Sequence, residues 1–185
     1  MHERGSSFLE VVFVVALVGV LSSMAVSELL ASHDRSRGWM AARYLGSRVV
    51  LARTQAVSRG TYVALRFERD QRGYSFGVFE DGNRNGVRTA DIQAGVDRQI
   101  ESSVRLFEQF PGVEFGVNPG LQGASPVQLG ASGLLSFSPL GTATSGTIHV
   151  RGRDGTQWAV RVLGATGRTR VLRYEPRTGA WLEPF

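Results

Sequence analysis

The sequence predicts an α+β protein in which one long N-terminal helix, a transmembrane half followed by an amphipathic half, packs on a C-terminal antiparallel β-sheet or sandwich head. Three observations predict it. From Val11 to Ser27 no side chain is charged and most are apolar. Small apolar residues then recur in steps of four and three, at Ala41, Leu45, Val49, Ala52 and Ala56, one stripe on a 3.6-residue period. After Gly60 the period changes to two, and turns rich in Gly and Pro separate short apolar runs.

The apolar run, with its flanks over residues 6–31, has about the 20 residues that a helix needs to cross a bilayer. A cleaved secretory signal would bring a basic start and a small-residue cleavage site after the run. Only Met1–Gly5 precede it, with one Arg, and the pattern continues directly into residues 32–60, so a retained helix is expected. Arg35, Arg43 and Arg53 project from a face other than the small-residue stripe, and Arg59 and Gly60 mark the stop, giving a helix from about Phe8 to Arg59. Glu10 stands out, because a carboxylate in an apolar span is costly unless it is paired or reaches the interface. The helix macrodipole also favours a glutamate at this end, so on these residues alone both readings stand.

Residues 61–185 read as a β-rich head. Val63, Leu65 and Phe67 alternate with Tyr62, Ala64 and Arg66, Tyr74–Phe79 repeats the pattern, and Arg69–Gly73 connects the two as a hairpin. Further strands are predicted at Val104–Phe107, Val113–Val117, Leu134–Phe137, Thr147–Arg151, Trp158–Leu163, Arg168–Arg173 and Ala180–Leu182, with a long loop over Gly116–Ser132. His149 falls on the polar face of its strand, and Trp39, Trp158 and Trp181 are expected in core or edge packing.

Composition removes several chemistries. Among 185 residues there is no Cys, which excludes thiol catalysis, zinc–thiolate sites and disulfides. All 21 basic residues are Arg, leaving no lysine for a phosphate-binding loop or a Schiff base. The three His, at positions 2, 33 and 149, are scattered, and no nucleophile-elbow motif is present. No enzyme activity and no cofactor are expected. The net charge of +5 is uneven: residues 31–66 carry seven Arg against Asp34 alone, 67–114 are net acidic, and 115–185 are again basic. Such segments attract polyanions or an anionic membrane surface, or they are ordinary solvated faces.

Asp81, Asn83 and Asn85, followed by Gly86, imitate the start of an EF-type calcium loop. Position 12 would be Ile92, which cannot ligate, so no metal site is nominated and a turn built on Asp-Gly and Asn-Gly is the preferred reading.

Gly5-Ser6-Ser7-Phe8-Leu9-Glu10 ahead of an apolar stretch resembles the class III signal of type IV pilins and type II secretion pseudopilins. In the head, Gly133-x3-Phe137-x-Pro139-x-Gly141-Thr142, then Gly146-Thr147-Ile148, then Gly167-Arg168-Thr169-Arg170-Val171, is similar to the GspH/FimT branch. The resemblance implies a prepilin leader at residues 1–5, cut by prepilin peptidase between Gly5 and Ser6. It implies N-methylation of Ser6, where the family usually has Phe, and an assembly role for Glu10, whose carboxylate would meet the freed amine of a neighbouring subunit. The implied life history is a single-pass inner-membrane protein with a periplasmic head, which joins or primes a type IV pilus-like filament with other pilin subunits.

In FimT-type minor pilins the matching arginines are implicated in binding DNA during natural transformation, a role the resemblance carries to Arg168 and Arg170. Two positions apart on a strand, these side chains share one face about 6.6 Å apart, and guanidinium forks suit phosphate oxygens. Arg173 and Arg177 would extend the patch. The alternatives are that both arginines brace acids of the head or of a neighbouring pilin, and that the chain is a GspH-type pseudopilin of a type II secretion system that handles protein cargo without binding DNA.

Overall fold

The computed structural model describes residues 8–121, 125–130 and 132–184, with the backbone alone at residues 24–31 and 33. Helix α1 runs from Phe8 to Arg59. It ends at Gly60, whose φ of +65° suits the residue that closes a helix. Its two halves differ in what they touch. From Phe8 to Ser23 every side chain is exposed, Phe8 to 85%. From Ala41 onward one face is buried, with Ala41, Ala42, Leu45, Val49, Ala52 and Ala56 nearly inaccessible to solvent. The stripe is made of small residues because two sheets close on it.

The first sheet has the order β3-β2-β1-β6, with β1 Val63–Asp70, β2 Gly73–Glu80, β3 Arg98–Val104 and β6 Leu134–Phe137. The second has the order β10-β9-β8-β7-β4, with β4 Glu114–Phe115, β7 Gly146–Arg151, β8 Gln157–Leu163, β9 Arg168–Glu175 and β10 Ala180–Leu182; the short β5, Val127–Gln128, also pairs with β7. Every pairing is antiparallel. Two short helices among the described residues, α2 Thr89–Gln93 and α3 Leu106–Gln109, precede and follow β3 along the chain. Helix α1 packs against β1 and β6 of the first sheet and β7, β8 and β9 of the second. Phe115 joins the layers, its ring centroid 5.7 Å from Phe67 and 6.2 Å from Phe76.

The sequence-based strands hold except around residue 104 and at Val113–Val117, where only Glu114–Phe115 forms a strand. The expected strand Val104–Phe107 is in fact the last residue of β3 and the start of α3. Strand β3 escapes a search for alternation because it is a half-exposed edge strand of mostly polar residues, Arg98 to Ser103. In the expected loop Gly116–Ser132, the short strand β5 pairs with β7, and residues 122–124 and 131 lie outside those described. Among the described residues no helix is long and apolar enough to cross a membrane. The expected span, residues 6–31, includes side chains that are not described, and Gly5 and Ser6 lie outside the described residues altogether.

Candidate functional site

Two regions carry the residues that the sequence singles out. The first is the exposed half of α1. Glu10 sits in its first turn, an exposed acid among exposed Phe8, Leu9, Val11, Val12 and Phe13. Within a single chain this apolar surface is uncovered, so burying it requires lipid or other helices.

The second region is the face of the second sheet turned away from α1. Alternation places Arg168, Arg170, Leu172 and Tyr174 of β9 on it, and the register sets Arg161 of β8 directly opposite Arg170. Arg168 and Arg170 are both exposed, as the sequence requires of a binding pair. Arg170 is already partnered: its Nε lies 3.2 Å from Glu183 Oε1, beyond β10. Among the described residues Arg161 and Arg168 form no ion pair. Like charges facing each other across a strand pair are unfavourable, so Arg161 beside Arg170 forms a local excess of positive charge that an anion would relieve. Sequence reading misses Arg161 because cross-strand register is not visible in a linear spacing. Arg173 does not extend this face. It is odd in the alternation, pairs with Trp158, and lines a cavity on the side facing the helix.

A groove of about 380 Å³ runs past this edge of the sheet, lined by Trp39 and Arg43 of α1, by Arg168, Arg170 and Val171, and by Glu183. Arg43 lies over the Trp39 ring, 5.3 Å from its centroid, and Trp39 leans on the buried Trp158 at 5.0 Å. The cation is thereby fixed at the rim by a contact worth about 0.5–1 kcal/mol at an exposed site.

The uneven charge of the sequence has a structural cause. The basic segment 31–66 largely neutralises the acidic segment after it: Arg48 of α1 pairs with Glu101, Arg59 with Glu80 at 2.6 Å, and Arg66 with Glu68 at 2.7 Å. Asp70 is paired with Arg105 and accepts the Arg72 N–H, and the latter bond above all holds its carboxyl below the usual carboxylate range. Among the described residues Arg35, Arg43 and Arg53 of α1 keep no ion-pair partner, and neither do Arg153, Arg161, Arg168, Arg173 and Arg177 of the C-terminal part.

His149 lies on the same outer face, yet it is buried, its ring 5.5 Å from that of Trp181, which in turn rests on Tyr174 at 5.2 Å. Loss of water lowers its pKa, the Arg161 charge lowers it further, and nearby backbone groups of Ser125 and Pro126 act in the opposite direction.

At Asp81 the geometry supports the turn. Oδ1 accepts the N–H groups of Asn83 and Arg84, at 3.0 and 2.8 Å, and Oδ2 accepts that of Gly86 at 2.8 Å. Asn83 and Asn85 donate their amide groups to Asp91 rather than offering oxygens to an ion, and Asp97 binds the N–H groups of Gly82 and Arg88. Among the described residues no cluster of three or more acids or histidines is placed to hold a metal.

The chain is similar to known proteins. The model of a family described as type II transport protein GspH matches residues 41–167, more than half of the chain. The chain is 35% identical over 85 residues to the pilin-like protein PilA1 of Thermus thermophilus, an alignment that covers 45% of this chain and 53% of that protein. It thus spans about half the length of that curated relative. The solved structure of the minor pseudopilin EpsH, from the type 2 secretion system of Vibrio cholerae, aligns with 74% of this chain and 97% of its own, at 16% identity and a TM-score of 0.48.

Proposed function

We propose, from the premise that this chain belongs to the GspH family of type II transport proteins, that it is a non-enzymatic pilin-like subunit which enters or primes a filament through the exposed half of α1. The observation that carries this reading is the contrast within one helix: apolar and uncovered from Phe8 to Ser23, buried on one face by the head from Ala41 onward. Such a surface is stable in a bilayer before assembly and against other subunits after it. The protein accordingly waits in the inner membrane with its head in the periplasm. Prepilin peptidase frees Ser6, which is then methylated, and Glu10 pairs with the amine of a neighbouring subunit, because an acid buried among apolar helices needs a partner charge. The test is Glu10→Ala in the producing cell. Processing stays intact while the sheared filament fraction loses the subunit; normal incorporation contradicts the reading.

The excess charge at Arg161, Arg168 and Arg170 favours a second activity, sequence-tolerant binding of DNA through its phosphates. The ion pair between Arg170 and Glu183 supports the competing role, in which that arginine braces the head. Titrating duplex DNA onto the full chain in detergent at several salt concentrations separates the two. DNA binding predicts an affinity that falls steeply with salt and drops further in Arg168→Gln/Arg170→Gln. Absence of binding at low salt contradicts the DNA reading and favours the alternative, a GspH-type pseudopilin of a type II secretion system that does not bind DNA.

A further inference from the structure

Leu140 is 90% exposed at the tip of the turn Ser138-Pro139-Leu140-Gly141, between β6 and β7. Isolated surface leucines are ordinary. This one is presented by an unusually braced turn. Gly141 N–H donates to the Ser138 carbonyl and Ser138 N–H to that of Thr142, both at 2.9 Å, and the two hydroxyls of Ser138 and Thr142 meet at 2.7 Å. Arg53 of α1 ties the turn down through Nε, 2.9 Å from the Gly141 carbonyl oxygen. Exposed Val57 lies beside Gly141, so two large apolar side chains share one rigid corner. A knob whose conformation is already fixed loses little entropy on docking.

At the other end of the head a cavity of about 300 Å³ has apolar walls formed by Trp158, Leu182 and Pro184, and a rim formed by Arg173, Glu175 and Glu183. It is large enough for a leucine side chain. Among the described residues Glu175 on this rim and Arg53 beside the knob have no ion-pair partner, and their charges are complementary. The knob rests on Arg53 and Val57, whereas the wall of the cavity, Trp158, rests on Trp39. At 1.5 Å per helical residue these anchors are about 21–27 Å apart along α1, so no chain can fill its own cavity.

We infer that Leu140 of one copy seats in the Trp158–Leu182–Pro184 cavity of the next, with Arg53 approaching Glu175. The contact is heterologous and displaced along the helix axis, the kind that propagates into an open fibre rather than closing as a dimer. It rests on the filament reading above and adds to it a specific bond between heads. The absence of cysteine from the chain gives a clean test. The full chain carrying Leu140→Cys and Leu182→Cys together, purified in detergent and mildly oxidised, forms a ladder of disulfide-linked multimers. Either single variant alone yields at least tenfold less linked product, and mixing the two restores heterodimers. Absence of the ladder, or equal linkage through 140–140 pairs, overturns the inference. Leu140→Asp, at an exposed tip, leaves the melting midpoint unchanged and reduces assembled subunit at least tenfold in cells; unchanged assembly also overturns it. Filaments without 140–182 linkage sink the head contact and leave the filament reading standing. A ladder in detergent without filaments in cells does the reverse.

Discussion

His149 shows how a single side chain can couple this head to pH. Its folded-state pKa lies below the ordinary value of 6.5, because the site excludes water and Arg161 stands near. The unfolded chain therefore takes up a proton at a higher pH than the folded one. The stabilisation is complete above about pH 6.5 and is lost as the pH falls below it, at no more than about 1.4 kcal/mol per pH unit for one proton. Urea melts of the full chain between pH 7 and 5 should show this slope, and His149→Gln should flatten it. The sequence placed His149 on a polar face of its strand; the structure turns it away from α1 but buries it beneath Trp181, which arrives from β10. Alternation within a strand assigns faces; it does not reveal what lies across them. The same limit explains why Arg168 and Arg170 were legible as a pair, while Arg161 was not and Arg173 was assigned to the wrong side.

Helix α1 tests the account at the scale of the element, since its faces should respond oppositely to the same change. Leu45 is fully buried, and Leu45→Ala should cost about 2–5 kcal/mol through lost burial and the cavity left behind. Val50 on the outward face is half exposed, and Val50→Ala should stay within about 0.5 kcal/mol in the isolated chain. The buried stripe was readable because a helix packed on sheets repeats its demand every turn. Strand β3 was not, because an edge strand makes little demand on either face. The Asp81 turn adds a third test. Asp81→Ala strands three backbone N–H groups and should cost about 1–3 kcal/mol, while added calcium or chelator leaves the wild-type melt unchanged.

For the molecule as a whole, the separated glycine signatures of the head prove to be one structure. Gly167, with φ +61°, packs so closely on Gly141 that a side chain there would collide with its carbonyl oxygen and with Arg53. Segments far apart in sequence thus converge on one arginine of α1 and lock the head to the helix. The order of these signatures was legible in the sequence; their meeting was not, because it depends on how the sheets fold around α1. With the head fixed in this way, the exposed half of the helix is the part that the proposed function assigns to other subunits. In the proposed function assembly follows release of the N-terminus, so the most direct test is the intact mass of the native chain taken from the membranes of its own cells. The account predicts a polypeptide starting at a methylated Ser6, with Glu10 as its fifth residue. A chain still beginning at Met1, or one trimmed beyond Met24, would contradict it.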